Sequence, residues 1–177
     1  MRTLHLVALL PLSLAACGDG SFGTGIPPET VLDEADGDQL GDLCVAISNE
    51  LLALATGPIQ RTICTSLGIG LDSAAVSCQE VRGDCLNEAE PPVVTSCDAV
   101  DVSAFDACDT TVGELEDCMH ELRANIRRVE SQISCGLTRS ELAAIDTDNL
   151  FPARCTALGE ECPALGMLLN FDIDMTE

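Results

Sequence analysis

TVGELEDCMHELRANIRRVESQI, residues Thr111 to Ile133, decides the fold. Thr111 and Glu114 stand in the pattern by which a hydroxyl and a carboxylate satisfy each other's backbone amides at a helix start. Behind them Val112, Leu115, Met119, Leu122, Ile126, Val129 and Ile133 recur in alternating steps of three and four. That is one apolar face of an α-helix. Glu114, Glu116 and Asp117 lie near its start, and Arg123, Arg127 and Arg128 further along, as the helix dipole favours. Cys135-Gly136 ends the run. The heptad would also serve as the seam of a coiled-coil dimer. A lone stripe in a cysteine-rich chain has other helices to pack on, so the reading is the long central helix of a bundle.

Working outward, the pattern stays helical. Leu40, Leu43, Cys44, Ile47, Leu51, Leu54 and Ala55 share a face over about Gln39 to Thr56, with Asp36 and Asp38 at the positive end. Gly57-Pro58 is expected to stop that helix. A short second helix follows, with Ile59, Ile63, Cys64 and Leu67 on one side and Gly68-Ile69-Gly70 at its end. Asp72 is expected to cap a third, in which Ala75, Cys78, Val81 and Cys85 form a stripe weakened late by Gly83. Glu90-Pro91-Pro92 marks a break. Thr138 and Glu141 repeat the capping pattern ahead of a short helix through Ile145, and Pro152 opens a further turn near Cys155. The only strand candidate is Pro92 to Thr95. The fold class is therefore all-α: a small disulfide-stapled helical bundle with one long central helix.

The N-terminus reads differently. Arg2 precedes a 13-residue apolar run, Leu4 to Ala16, too short to span a bilayer as a helix. It ends in Leu14-Ala15-Ala16-Cys17, which resembles the lipobox of bacterial lipoproteins. That resemblance implies a signal peptide over 1–16, cleavage before Cys17, and lipidation of Cys17 by palmitate-type acyl chains that anchor the protein to a membrane. In that family an Asp directly after the cysteine favours the inner membrane. Here Gly18 stands there and Asp19 follows, which implies the outer membrane. The buried methylenes of two or three acyl chains contribute roughly 0.8 kcal/mol each, enough for a stable anchor. No later stretch reads as long and apolar enough to span. Residues 17–38, rich in Gly, Pro and acids, read as a flexible linker that extends some 65 Å at roughly 3.3 Å per residue. The helical domain is assigned to 39–165 and a tail to 166–177.

Setting Cys17 aside leaves Cys44, Cys64, Cys78, Cys85, Cys97, Cys108, Cys118, Cys135, Cys155 and Cys162. An even set in an exported chain implies disulfides, here five, among about 945 pairings. Cys118 and Cys135 would lie about 25 Å apart on a continuous helix and cannot pair. Cys155 and Cys162 flank Gly159 and are candidates for a small loop. Cys78 and Cys85 pair only if their helix breaks at Gly83; otherwise they staple to other helices. None has the C-x-x-C spacing of zinc or redox sites. The mature part is similar to the cysteine-rich, lysine-poor lipoproteins of GC-rich bacteria, a likeness carried by the run Cys108 to Cys118.

Charge and composition narrow the function. The chain carries 30 acidic residues against 8 basic ones, for a net charge of −22, and removing the leader with Arg2 makes it −23. Such a field repels nucleic acid and anionic surfaces. Trp and Tyr are absent and Phe numbers four, so stacking platforms for bases or sugars are missing. The acidic run Asp33, Glu34, Asp36, Asp38, Asp42 lacks the EF-hand spacing and reads as solvated. Gly18, Gly20 and Gly23 mimic a dinucleotide fingerprint without its strand and helix. His120-Glu121 begins a zinc-protease motif whose second histidine position is Ala124. These residues support no catalytic site, metal or cofactor. The expectation is a monomeric, non-enzymatic, lipid-anchored module of the cell envelope that meets a protein partner there. The alternatives are a carrier with an apolar cavity between stapled helices, and a weak divalent-cation binder.

Overall fold

The computed structural model describes residues 22–87, 97 and 101–169, the side chains at 167 and 168 excepted. Its helices are α1 (Gly37–Leu54), α2 (Gln60–Leu71), α3 (Cys78–Leu86), α4 (Val112–Gln132), α5 (Arg139–Ala143), α6 (Ala153–Glu161) and α7 (Pro163–Leu169). Among the described residues there is no strand beyond one isolated bridge, Val31 to Thr111. The architecture is the all-α, disulfide-stapled bundle that the periodicity predicts. The strand candidate at 92–95 and the break at 90–92 lie outside the described residues.

α4 behaves as read. Thr111 and Glu114 form the reciprocal box, and Val112, Leu115, Met119, Leu122, Ile126 and Val129 are buried. All of these but Val129 join Leu40, Leu43, Ile47, Leu51 and Leu54 of α1 and Leu158 and Leu165 from α6 and α7 in one core, while Ile133, the last residue of the predicted stripe, stands half-buried past the helix end. The stripe is thus filled from within the chain. Two polar links tie the layers. Arg123 of α4 grips Glu50 of α1 with both arms of its guanidinium, Nε standing 2.7 Å from Oε1. Arg154 of α6 reaches Asp117 at 2.6 Å.

Gly57-Pro58 does not stop the first helix. Helical backbone runs unbroken from Gly37 to Leu71, 35 residues, making this and not α4 the longest element. Proline lacks an amide, and its ring collides with the carbonyl four residues back, here Leu54. The chain avoids both problems with one wider π turn over Ala55–Ile59. The Gln60 amide reaches five residues back to Ala55, and the Thr56 hydroxyl donates to the Leu52 carbonyl at 2.8 Å. Continuity makes 37–71 long and apolar enough to cross a membrane by length and composition, contrary to the expectation that nothing past the leader would be. Its α1 half packs as a core helix. The helix start is also earlier than Gln39: Asp36 caps it, in a box with Gln39.

α2 and α3 form a hairpin beside the main core. α2 continues through Gly68-Ile69-Gly70 to Leu71 instead of ending there, because Gly68 is where the hairpin closes. A Cβ on Gly68 would stand 2.7 Å from the Cys78 carbonyl oxygen and 2.8 Å from its sulfur. α3 begins at Cys78 under Ser77, later than the cap expected from Asp72, and Ala75 lies outside it. Asp72 still accepts from the Cys78 amide at 3.0 Å.

The segment read as a flexible linker folds from Phe22 onward. Phe22, Leu32 and Ala35 are buried in the main core. Thr24 donates its amide and hydroxyl to Glu116 at 2.8 and 2.9 Å. The first amides of α4 have no partner inside the helix. Val112 finds the Thr30 carbonyl at 2.9 Å, and Gly113 the Pro28 carbonyl at 2.8 Å. A Cβ on Gly113 would lie 3.0 Å from the Pro28 oxygen, so the strap needs glycine there. The C-terminal boundary moves as well. α7 carries the fold to Leu169, which is buried, past the limit of 165. α5 has its Thr138–Glu141 box but ends at Ala143, and α6 begins at Ala153 behind Pro152.

Candidate interaction surface

The ten cysteines form five bonds: Cys44–Cys97, Cys64–Cys85, Cys78–Cys135, Cys108–Cys162 and Cys118–Cys155. α3 runs through Gly83 unbroken, so Cys78 and Cys85 staple elsewhere, as the helical geometry required. Cys155 and Cys162 do not close a loop together. Cys155 lies in the first turn of α6 and Cys162 caps its end, and each is drawn inward to a different element, Cys155 to α4 and Cys162 to Cys108. Cys118 and Cys162 are fully buried among Leu115, Met119 and Leu165. These staples enclose packed side chains.

The α2–α3 hairpin is fixed to the rest by Cys78–Cys135, by Arg61 to Glu130 at 2.5 Å, and by Arg139 donating to the Gly70 carbonyl at 2.6 Å. With Cys64, Ile69 and Cys78 turned inward, the outer face of α2 is left to solvent. It carries Ile63, 58% exposed, Leu67, 47%, and Leu71, 54%, one turn apart each, with Val76 at 40% just beyond. No Asp or Glu occurs between residues 51 and 71 in a chain with 30 acidic residues. A contiguous row of exposed large aliphatics rimmed by polar residues, here Arg61 and Asp72, marks an interaction surface. Sequence periodicity placed Ile63 and Leu67 with Cys64 on a single side. The two faces separated only once Cys64 was seen bonded to Cys85.

α2 and the N-terminal strap meet α4 at separate positions. Arg61 meets α4 at Glu130, while the N-terminal strap meets it at Glu116. Those positions are about 21 Å apart at 1.5 Å per residue.

No protein family matches the sequence, and neither a curated protein nor a solved structure is similar to it.

The other sequence candidates resolve as follows. Cys17 lies outside the described residues. His120 sits exposed on α4. Of the acidic run, Asp36 is spent as the α1 cap, and among the described residues no three of His, Cys, Asp or Glu come together as a metal site. A groove of about 480 Å³ between α6 and α7 is lined by Phe151, Cys155, Thr156, Pro163 and Leu169 among others. The sequence gives no sign of it, because the periodicity carries no helix across Pro163–Leu169, the last four residues of which fall in the expected tail. Two carboxylates are perturbed, both by capping. The Thr111 amide, then its hydroxyl, hold Glu114 below the ordinary value of 4.5, and Thr138 does the same for Glu141.

Proposed function

We propose that the protein is a non-catalytic, lipid-anchored module of the bacterial cell envelope that binds a partner protein through the outer face of α2. The observation that carries this reading is the exposed row Ile63, Leu67 and Leu71 along α2, a helix without Asp or Glu, with Val76 beyond Asp72, on a disulfide-fixed hairpin. Aliphatic side chains on a rigid helix lose little entropy on docking, so burying them is a net gain. The Leu14-Ala15-Ala16-Cys17 run supports the anchor, and Gly18 in place of Asp supports the outer membrane. Folding from Phe22 leaves four residues between it and Cys17, a reach of about 17 Å extended in place of 65 Å. The strap meets α4 at Glu116, and α2 meets it about 21 Å further along at Glu130.

Two experiments test this. Cys17→Ser should move the protein from the membrane to the soluble fraction and abolish labelling by a palmitate analogue. A photo-crosslinking residue at Leu67, on intact cells, should give a protein adduct of defined mass that Ile63→Glu removes and the same probe at Asp148 lacks. An adduct with lipid alone, or none, refutes the partner reading.

The α6–α7 groove favours a second reading, a carrier of a small apolar ligand. Native mass spectrometry of freshly purified protein should then show a bound mass that Phe151→Asp removes.

A further inference from the structure

Two four-residue runs in this chain share a pattern, Arg61-Thr62-Ile63-Cys64 on α2 and Arg82-Gly83-Asp84-Cys85 on α3. Residues three apart on a helix share a face. Each arginine therefore stands over its own cysteine, and the Cys64–Cys85 bond brings the two arginines to one place. α4 adds a third, Arg127, one turn before Glu130. The three helices enclose a groove of about 330 Å³ whose lining includes Arg61, Arg82, Arg127, Glu130, Thr62 and Ser131. Glu130 is the only acid in the lining and is engaged by Arg61, so three positive charges against one leave +2 on a protein of net charge −22.

Of the three, only Arg61 has a structural partner among the described residues. Arg123 and Arg154 are paired with carboxylates, and Arg139 with a carbonyl. Arg82 and Arg127 have neither ion pair nor hydrogen bond among the described residues, although acids outnumber bases by 30 to 8. Holding three guanidinium groups around one hollow costs mutual repulsion, and an anion seated between them reverses the sign of that term. Two unengaged planar forks, with the Thr62 hydroxyl beside them, offer more donors than a carboxylate has lone pairs in reach. They match a tetrahedral oxyanion.

The geometry points to a phosphate-binding site in this groove, for inorganic phosphate or the phosphate of a monoester, with Arg82 and Arg127 as the principal ligands. The site is separate from the α2 docking face and does not depend on it. Because the whole-molecule field repels anions, nonspecific attraction cannot imitate it.

The test is titration calorimetry on the full disulfide-bonded chain with inorganic phosphate and, separately, with glycerol 3-phosphate. One-to-one saturation is expected with at least one of them. Inorganic phosphate binding the tighter identifies the free ion; the ester binding at least as tightly identifies a headgroup or metabolite phosphate. Arg82→Ala and Arg127→Ala should each weaken it by about tenfold or more, the loss of a hydrogen bond to a charged group. Arg128→Ala, outside the groove on the same helix, should leave it unchanged. Circular dichroism of the variants reports their folding. No saturation with either compound overturns the proposal. Equal binding by the folded Arg82 and Arg127 variants, or an equal loss in Arg128→Ala, also does.

Discussion

Gly68→Ala tests the packing of the α2–α3 hairpin against an internal control two residues away. In a free helix the change is favourable by about 1 kcal/mol. Here the added methyl meets a carbonyl oxygen at 2.7 Å and a sulfur at 2.8 Å, both of Cys78. Neither is the loose end of a flexible side chain. The oxygen is backbone, and the sulfur is bonded to Cys135. Relief requires the two helices to part. Overpacking a rigid site costs about 3 kcal/mol at the upper end of its usual range. The net loss is about 2 kcal/mol, which lowers the melting temperature by about 4–8 °C in a domain of this size. Gly70 has open space around its Cβ position. Gly70→Ala, near the helix end, should gain about 0.5 kcal/mol. Thermal unfolding followed by circular dichroism, under oxidising conditions, reads both. If Gly68→Ala is as stable as the parent, or the two substitutions shift the midpoint alike, the close contact that sets the hairpin is wrong.

Removing Arg123 leaves Glu50, 8% exposed, as an unpaired carboxylate against the core. Arg123→Ala should cost about 3 kcal/mol by denaturant unfolding, and Glu50→Gln in the same background should recover part of it. Deleting residues 1–21 should leave the unfolding midpoint unchanged. Phe22→Ala with Leu32→Ala should lower it by about 4 kcal/mol or more, since both are core residues of the strap. Glu114 and Glu141 are held below 4.5 in the folded state, so their stabilisation is present above that value and is lost as pH falls through the lowered ones. The denaturation midpoint should therefore drop on acidification to about pH 3.5. Glu114→Gln, which does not titrate, should be less stable than the parent at neutral pH and should flatten that drop, the two curves converging in acid.

Much of this architecture was legible because helical burial is written locally. The α4 stripe needs only residues three and four apart, and the Thr111–Glu114 and Thr138–Glu141 boxes need only four consecutive positions. The misreadings share a cause. Gly57-Pro58 looked like a stop because a proline penalty is local, whereas the π turn that absorbs it is held by packing on both sides. Residues 22–35 looked like a tether because Gly, Pro and acids without period carry no helical or strand signal. Their partners, the free amides at the start of α4, lie some eighty residues away. Ile63 and Leu67 shared a predicted face with Cys64. Only the bond to Cys85 shows which side of α2 turns inward.

By itself, then, the sequence determined the all-α class, the central amphipathic helix and its caps, and an even set of ten cysteines beyond Cys17. These depend on spacing within a turn or two, where chain geometry leaves few options. The tertiary structure decided the five pairings, the inclusion of the strap, the exposure of the α2 row, and the meeting of Arg61, Arg82 and Arg127. Each joins positions distant in sequence, whose proximity is set by how whole helices pack.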